Sequence, residues 1–190
     1  MKIGIMGGTF DPIHNGHLII ARYAKEHCGL DRVIFMVSGN PPHKQNNITD
    51  AGLRLEMTRL ALRNDSDFEV SDYEVNRSEY SYTVNTLYYL NKLYPDDDIF
   101  FIIGGDSLRD FPKWYKPEEI VRLCTILVYP RPGINTDTQL DIIRNKYGGR
   151  IEIINAPMLE ISSSEIRTRI AEGKSVRHFI PDNLLEEYFL

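Results

Sequence analysis

KIGIM at 2–6 followed by GGTFDPIHNGH at 7–17 is the stretch of this chain that decides its fold. The first five residues read as a short buried strand. Gly7 and Gly8 then open a loop, and GHLIIARYAKEHC at 16–28 carries apolar residues at three- and four-residue spacing until Gly29 ends a predicted helix. A strand that turns through glycines into a helix is the first half of a βαβ unit. Glycine allows backbone N–H groups close to a ligand, and a helix N-terminus adds unpaired donors and a positive dipole end. The loop is therefore an anion site by construction. It lacks the Gly-Lys-Ser/Thr ending of a P-loop, and its glycines do not follow the GxGxxG spacing of dinucleotide binders. His14 and His17 lie three residues apart, close enough in a first helical turn to cover one phosphate position. The pair also reads as capping or core histidines, or as half of a metal site. The anion loop around it favours the phosphate role, and no further metal ligands suggest themselves in the sequence.

Outward from this unit the rhythm repeats. Strand-like runs recur at 32–37, 68–71, 99–103, 125–129 and 151–155, with helical patterns at 51–64 and 82–94. Strands this apolar are covered on both faces, which predicts an α/β, doubly wound, Rossmann-like parallel sheet with helices on both sides. Ligands in such sheets bind at the carboxyl ends of the strands, so the strand-to-helix loops are where function is sought. One domain over 1–190 is expected, its C-terminal part from about 157 forming a small helical appendage.

Composition narrows the function. The chain has 190 residues, 42% of them hydrophobic, and 22 Lys+Arg against 27 Asp+Glu give a net charge of -5. General binding to nucleic acid or to an anionic membrane is not expected from such a surface. An anionic substrate would have to be held by a few local cations and backbone donors. Cys28 and Cys124 are the only cysteines and read as reduced thiols. No secretion signal and no run long enough to cross a membrane is read, so a cytoplasmic location is expected. FIPDNLLEEYFL at 179–190 predicts a proline-started helix that packs on its own domain or contacts another subunit of a homo-oligomer.

Near the other end, Ile161-Ser162-Ser163-Ser164-Glu165-Ile166-Arg167 precedes a helical pattern that Gly173 ends. Ser162 and Glu165 have the spacing of a capping box, so hydroxyls gather at a second helix N-terminus. Arg167, one turn in, reads as a bidentate phosphate ligand or as a surface cation. GGTFDPIHNGH resembles the GxFxPxHxGH signature of the nucleotidylyltransferase superfamily, and ISSSEIR its ISSTxxR-type second motif, with Ser164 where Thr is common. The resemblance implies an ATP site made by Gly7, Gly8, Thr9 and Phe10, by Gly104 and Asp106, and by Ile161, Ser162, Ser163 and Ser164. It implies catalytic roles for His14, His17, Lys44 and Arg167.

Four middle segments, GNPPHK at 39–44, SYTVNTL at 81–87, IIGGDSLRDFPKWY at 102–115 and YPRPG at 129–133, resemble the nicotinate mononucleotide adenylyltransferase branch of that superfamily. Read physically, Lys44 is a mobile cation or a solvated loop lysine. Asp106 follows the fourth strand and suits ribose hydroxyls or a helix N-cap. Trp114, the only tryptophan, offers an indole face to a pyridine ring or packs beneath its loop. The resemblance places nicotinate mononucleotide on Asn40, Lys44, Thr83, Trp114, Tyr115 and Arg131. It implies adenylyl transfer from ATP to that acceptor, with Mg2+ carried in on the nucleotide and no dedicated metal ligand.

Overall fold

The computed structural model describes residues 1–42, 48–133 and 136–189. Its centre is a parallel sheet of six strands: β1 (Lys2–Gly8), β2 (Arg32–Val37), β3 (Phe68–Ser71), β4 (Asp98–Gly104), β5 (Thr125–Tyr129) and β6 (Ile151–Ile153). Their order across the sheet is β3-β2-β1-β4-β5-β6. Every predicted strand is present. β1 runs on through Gly7 and Gly8, which pair with Met36 and Val37, so these glycines end a strand before they begin a loop. β6 stops at Ile153, two residues short of the predicted run.

Alternation along the strands divides the core in two. Val33, Phe35, Phe100, Ile102, Leu127 and Tyr129 face one side of the sheet, while Ile3, Ile5, Ile34, Met36, Ile99, Phe101, Ile126 and Val128 face the other. The first face is covered by α1 (Asn15–Cys28) and α2 (Ala51–Leu62), the second by α3 (Thr83–Leu93), α4 (Gly105–Asp110), α5 (Pro117–Leu123) and α6 (Thr136–Tyr147). Two helices at the end of the chain, α7 (Ser163–Ala171) and α8 (Asp182–Tyr188), return to the first face. Their Ile166, Leu184 and Leu185 are buried in one core with Ile20 and Ala24 of α1. The apolar face of the C-terminal helix is thus spent inside its own chain.

Helix ends follow the local chemistry. Gly29 closes α1 in the left-handed region at φ 59, where a side chain would be strained. Asp50 caps α2 by accepting from the Leu53 N–H at 3.1 Å. Ser162 caps α7 through the Glu165 N–H at 3.2 Å, which is half of the predicted capping box. Among the described residues no helix is long and apolar enough to cross a membrane.

Candidate active site

The strand order turns back between β1 and β4: the chain leaves β1 for one face of the sheet and β4 for the other. A crevice opens at such a switch point, outside the carboxyl ends of the two strands. Here it is a cavity of 320 Å³ with Gly7, Gly8 and Thr9 on one side and Gly104 and Asp106 on the other; His17 and Arg131 also reach it. The glycines are fixed by packing. A Cβ on Gly8 would lie 2.7 Å from the ring of Phe10, and one on Gly7 3.2 Å from that of Phe101. Phe10 itself is buried at φ 48 with its ring edge-on to His17, centroids 5.0 Å apart. It supports the histidine from beneath.

His14 and His17 stack, with ring centroids 3.6 Å apart and planes 20° from parallel. The His14 backbone N–H donates to His17 Nδ1 at 3.2 Å. A neutral His17 then carries its proton on Nε2, which makes that atom the ring's donor. His14 is 2% exposed. Burial, assisted by the positive charge of Arg131, pushes its pKa down to about 4. The stacked ring beneath His17 is therefore neutral near pH 7. Gly16 between the two is tightly enclosed: a Cβ there would come within 3.0 Å of His14 Nδ1 and 3.4 Å of Ile161.

That proximity of Ile161 brings the two ends of the chain together. Ser163 Oγ donates to the Pro12 carbonyl at 2.9 Å, and Arg167 donates from Nη1 to the Asp11 carbonyl at 2.5 Å. The Arg167 guanidinium also lies 3.7 Å from the Asp11 carboxylate, while the side chain remains 45% exposed. Asn15 donates its backbone N–H to the Phe179 carbonyl at 2.8 Å. The second motif thus buttresses the first loop. Ile161, Ser162, Ser163, Ser164 and Arg167 line neither this cavity nor the neighbouring one of 530 Å³.

Thr83, Trp114 and Tyr115 meet in a second cavity of 530 Å³, which adjoins the first along Ser81, Thr83, Asp106, Ser107 and Trp114. Thr83 opens α3, so the positive end of a helix dipole lies at this wall. Trp114 follows a single 3-10 turn at Phe111–Lys113 and rests on Phe111, ring centroids 5.4 Å apart. Asp106 is not the N-cap of α4; Gly104 holds that place, leaving the carboxylate exposed with Arg109 3.8 Å away. Asn40 lines neither cavity but exchanges hydrogen bonds with Ser81, its N–H to Ser81 Oγ at 3.2 Å and its carbonyl from the Ser81 N–H at 3.0 Å. Arg131 holds the Leu159 carbonyl weakly at 3.4 Å, and its buried Nε has no partner among the described residues. Lys44 lies outside the described residues.

Two residues at the site carry no signal in the sequence. Arg54 falls in a helix pattern where a charge reads as solvated, yet it is 1% exposed. Its guanidinium donates to the carbonyls of Thr49 at 2.8 Å, Thr9 at 2.6 Å and Gly39 at 3.4 Å, tying the loops after β1 and β2 together. Glu74, after β3, is 9% exposed and reaches the wall of the smaller cavity. Among the described residues the only cluster that could hold a metal ion is His27, Cys28 and Glu152, at the far end of α1 from the loop.

Comparison with known proteins agrees with this geometry. The family described as cytidylyltransferase-like matches residues 5–169. A protein of Clostridium kluyveri described as a "probable nicotinate-nucleotide adenylyltransferase" is 46% identical over 97% of this chain and 94% of its own. One of Exiguobacterium sibiricum with the same description is 42% identical over 100% of this chain and 98% of its own. Among solved structures, the nicotinic acid mononucleotide adenylyltransferase of Plasmodium falciparum complexed with NaAD shares the fold. It has a TM-score of 0.81 at 23% identity, over 100% of this chain and 96% of that one. With both terminal motifs joined at the switch point and relatives that match nearly end to end, the chain belongs to the cytidylyltransferase-like family, in its nicotinate-nucleotide adenylyltransferase branch.

Proposed function

We propose that this protein transfers the adenylyl group of ATP to nicotinate mononucleotide, forming nicotinate adenine dinucleotide and pyrophosphate, a step of NAD biosynthesis. The observation that carries the proposal is the pair of cavities that share one wall. The smaller has the glycine strand end and His17, the larger Thr83, Trp114 and Tyr115. Two ligands seated there would meet at Asp106 and Ser107. The acceptor's phosphate oxygen attacks the α-phosphorus, the bond to the bridging oxygen of the β-phosphate breaks, and pyrophosphate leaves with the electron pair. A phosphate monoester is already nucleophilic at neutral pH, so positioning and charge neutralisation supply the catalysis.

In this reading Gly7, Gly8, Thr9 and Phe10 form the triphosphate cradle and His17 donates to the phosphates around the reacting centre, held in place by stacked His14. Lys44 and Arg167 neutralise the triphosphate, with Ser162, Ser163 and Ser164 beside them. Gly104 and Asp106 take the adenosine. Trp114 stacks on the pyridine, while Thr83 and Tyr115 receive the nicotinate carboxylate at the α3 N-terminus. Asn40 and Arg131 hold the mononucleotide. ATP enters as its magnesium complex, so Mg2+ belongs to the substrate. The whole chain acts as one nucleotidylyltransferase domain, in the cytoplasm.

The test is pyrophosphate release from ATP and Mg2+ with nicotinate mononucleotide, nicotinamide mononucleotide and phosphopantetheine as separate acceptors. The proposal expects the first to be used at least tenfold better in kcat/KM. Equal or better use of either other acceptor overturns the acceptor assignment, and no release with any of the three overturns the reaction.

A further inference from the structure

Away from the crevice, the last turn of α1 gathers three metal-ligating side chains that the reaction above does not use. His27 and Cys28 lie at its end, and Gly29 stops the helix immediately after them. Glu152 stands on β6 opposite Leu127 of β5. Leu127 faces the side of the sheet that α1 covers, and paired residues of neighbouring strands share a face, so Glu152 points to the helix side. One His27 nitrogen, the Cys28 sulfur and one Glu152 oxygen all lie within 4.8 Å of one another. The Cys28 thiol reaches Glu152 Oε2 at 3.9 Å, a long contact between residues 124 positions apart. Among the described residues the His27 ring bonds nothing else, and no cation pairs with the Glu152 carboxylate.

Thiolate, imidazole and carboxylate together are a donor set for a borderline divalent cation, zinc above all. Around a bound zinc ion such atoms sit about 3.5 Å apart. His27 and Glu152 are exposed and can turn inward over the difference, while Cys28 is half-buried and fixes the position. The negative end of the α1 dipole lies at the same place and favours a cation. Lys2 acts in the opposite sense: its Nζ donates to the Cys28 carbonyl at 3.1 Å, and its charge repels a second cation nearby. The Mg2+ of the nucleotide does not suit these donors, since it takes oxygen ligands almost exclusively. Cys124 is buried, which leaves Cys28 as the thiol a metal can reach.

We infer that His27, Cys28 and Glu152 form a binding site for one zinc ion, with water in its fourth position, and that the bound ion ties the end of α1 to β6. As the metal–sulfur bond forms, the S–H bond of Cys28 breaks, the sulfur keeps the electron pair and the proton passes to solvent. β6 is the strand that gains most from such a tie. It is three residues long, lies at the edge of the sheet and pairs with β5 alone. The site is independent of the reaction proposed above and is tested without it.

The experiment takes the full chain, reduced and freed of metal with a chelator, and titrates it with Zn2+ by calorimetry and with Co2+ by absorption. One Zn2+ per chain is expected at micromolar Kd, undisturbed by millimolar Mg2+, and Co2+ should give the near-ultraviolet charge-transfer band of a sulfur ligand. Cys28→Ser should abolish that band and weaken Zn2+ binding about thirtyfold or more, while His27→Asn and Glu152→Gln each weaken it about tenfold with the band retained. Lys2→Gln, which removes the opposing charge, should tighten it about threefold. Zn2+ at about a hundred times its Kd should raise Tm by roughly 5–10 °C in the unaltered protein and not in Cys28→Ser. Should Cys28→Ser not fold, Glu152→Gln decides by its loss of affinity and of the Tm rise. Binding no tighter than millimolar, or Zn2+ affinity unchanged in these variants, overturns the site; a Tm rise that survives them overturns the tie to β6.

Discussion

His14 and His17 show how one pair of identical residues divides its work by environment. His17 lines the cavity, while His14 is buried behind it and kept neutral by desolvation. Replacing His17 by Ala removes the donor nearest the phosphates. It should lower kcat/KM roughly a thousandfold, the scale for losing one preorganised donor, with the far-ultraviolet circular dichroism unchanged. His14 makes a prediction about pH. Its folded pKa of about 4 lies below the ordinary 6.5, so below pH 6.5 the unfolded chain takes up a proton that the folded chain refuses. The stability it permits is complete above that value and is lost as pH falls toward 4. Urea unfolding at pH 7 and pH 5 should show a loss of about 2 kcal/mol from this residue. His14→Asn, which keeps an N-cap side chain, should flatten that part of the profile.

Glycines make the corresponding point for the elements. Gly29 ends α1 at φ 59 with open space around its missing Cβ, whereas Gly39 follows β2 with no special dihedral but no room at all. The two should fail differently when changed to Ala. Gly29→Ala meets only backbone strain and should cost about 1 kcal/mol. Gly39→Ala must push the segment at Glu74 and Val75 away, at about 3 kcal/mol or more for a forced backbone shift. It should also raise KM for the acceptor, because Asn40 and Ser81 move with it. Thermal unfolding and acceptor kinetics on the two variants check this, and equal costs would remove the packing argument. Helix α7 behaves as a brace in the same sense: Ser163 and Arg167 hold the Pro12 and Asp11 carbonyls, so its position governs the loop that ends at His14.

At the scale of the whole molecule the site is where most of the chain's segments converge. The carboxyl ends of β1 and β4, the loops after β2 and β3, the start of α3 and the C-terminal helices all bear on one crevice. A ligand there bridges both halves of the sheet, so binding should stabilise the fold globally. ATP with Mg2+ at a hundred times its Kd adds about 2.7 kcal/mol, a rise in Tm of roughly 5–10 °C for a chain of this size. Nicotinate mononucleotide added alone should raise Tm as well, through the cavity at Trp114. A flat response to both, measured by differential scanning calorimetry, would contradict the placement of the site.

What the sequence determined by itself was whatever is local in the chain. Strand alternation, helix spacing and the glycine-rich turn specify the βαβ units, because each depends on neighbours a few residues away, and the doubly wound sheet follows from their succession. The two terminal motifs were legible for the same reason. Tertiary structure alone decided that they touch, with Ser163 bonded to the Pro12 carbonyl across almost the whole chain. It also decided that Gly7 and Gly8 belong to a strand, and that Arg54 and Glu74 are buried. A charged residue in a helix or after a strand reads as solvated, since the sequence states its charge but not the distant carbonyls and hydroxyls that compensate it. Those partners come from loops that only the closed sheet brings together, and the polarity of the site is therefore a property of the fold.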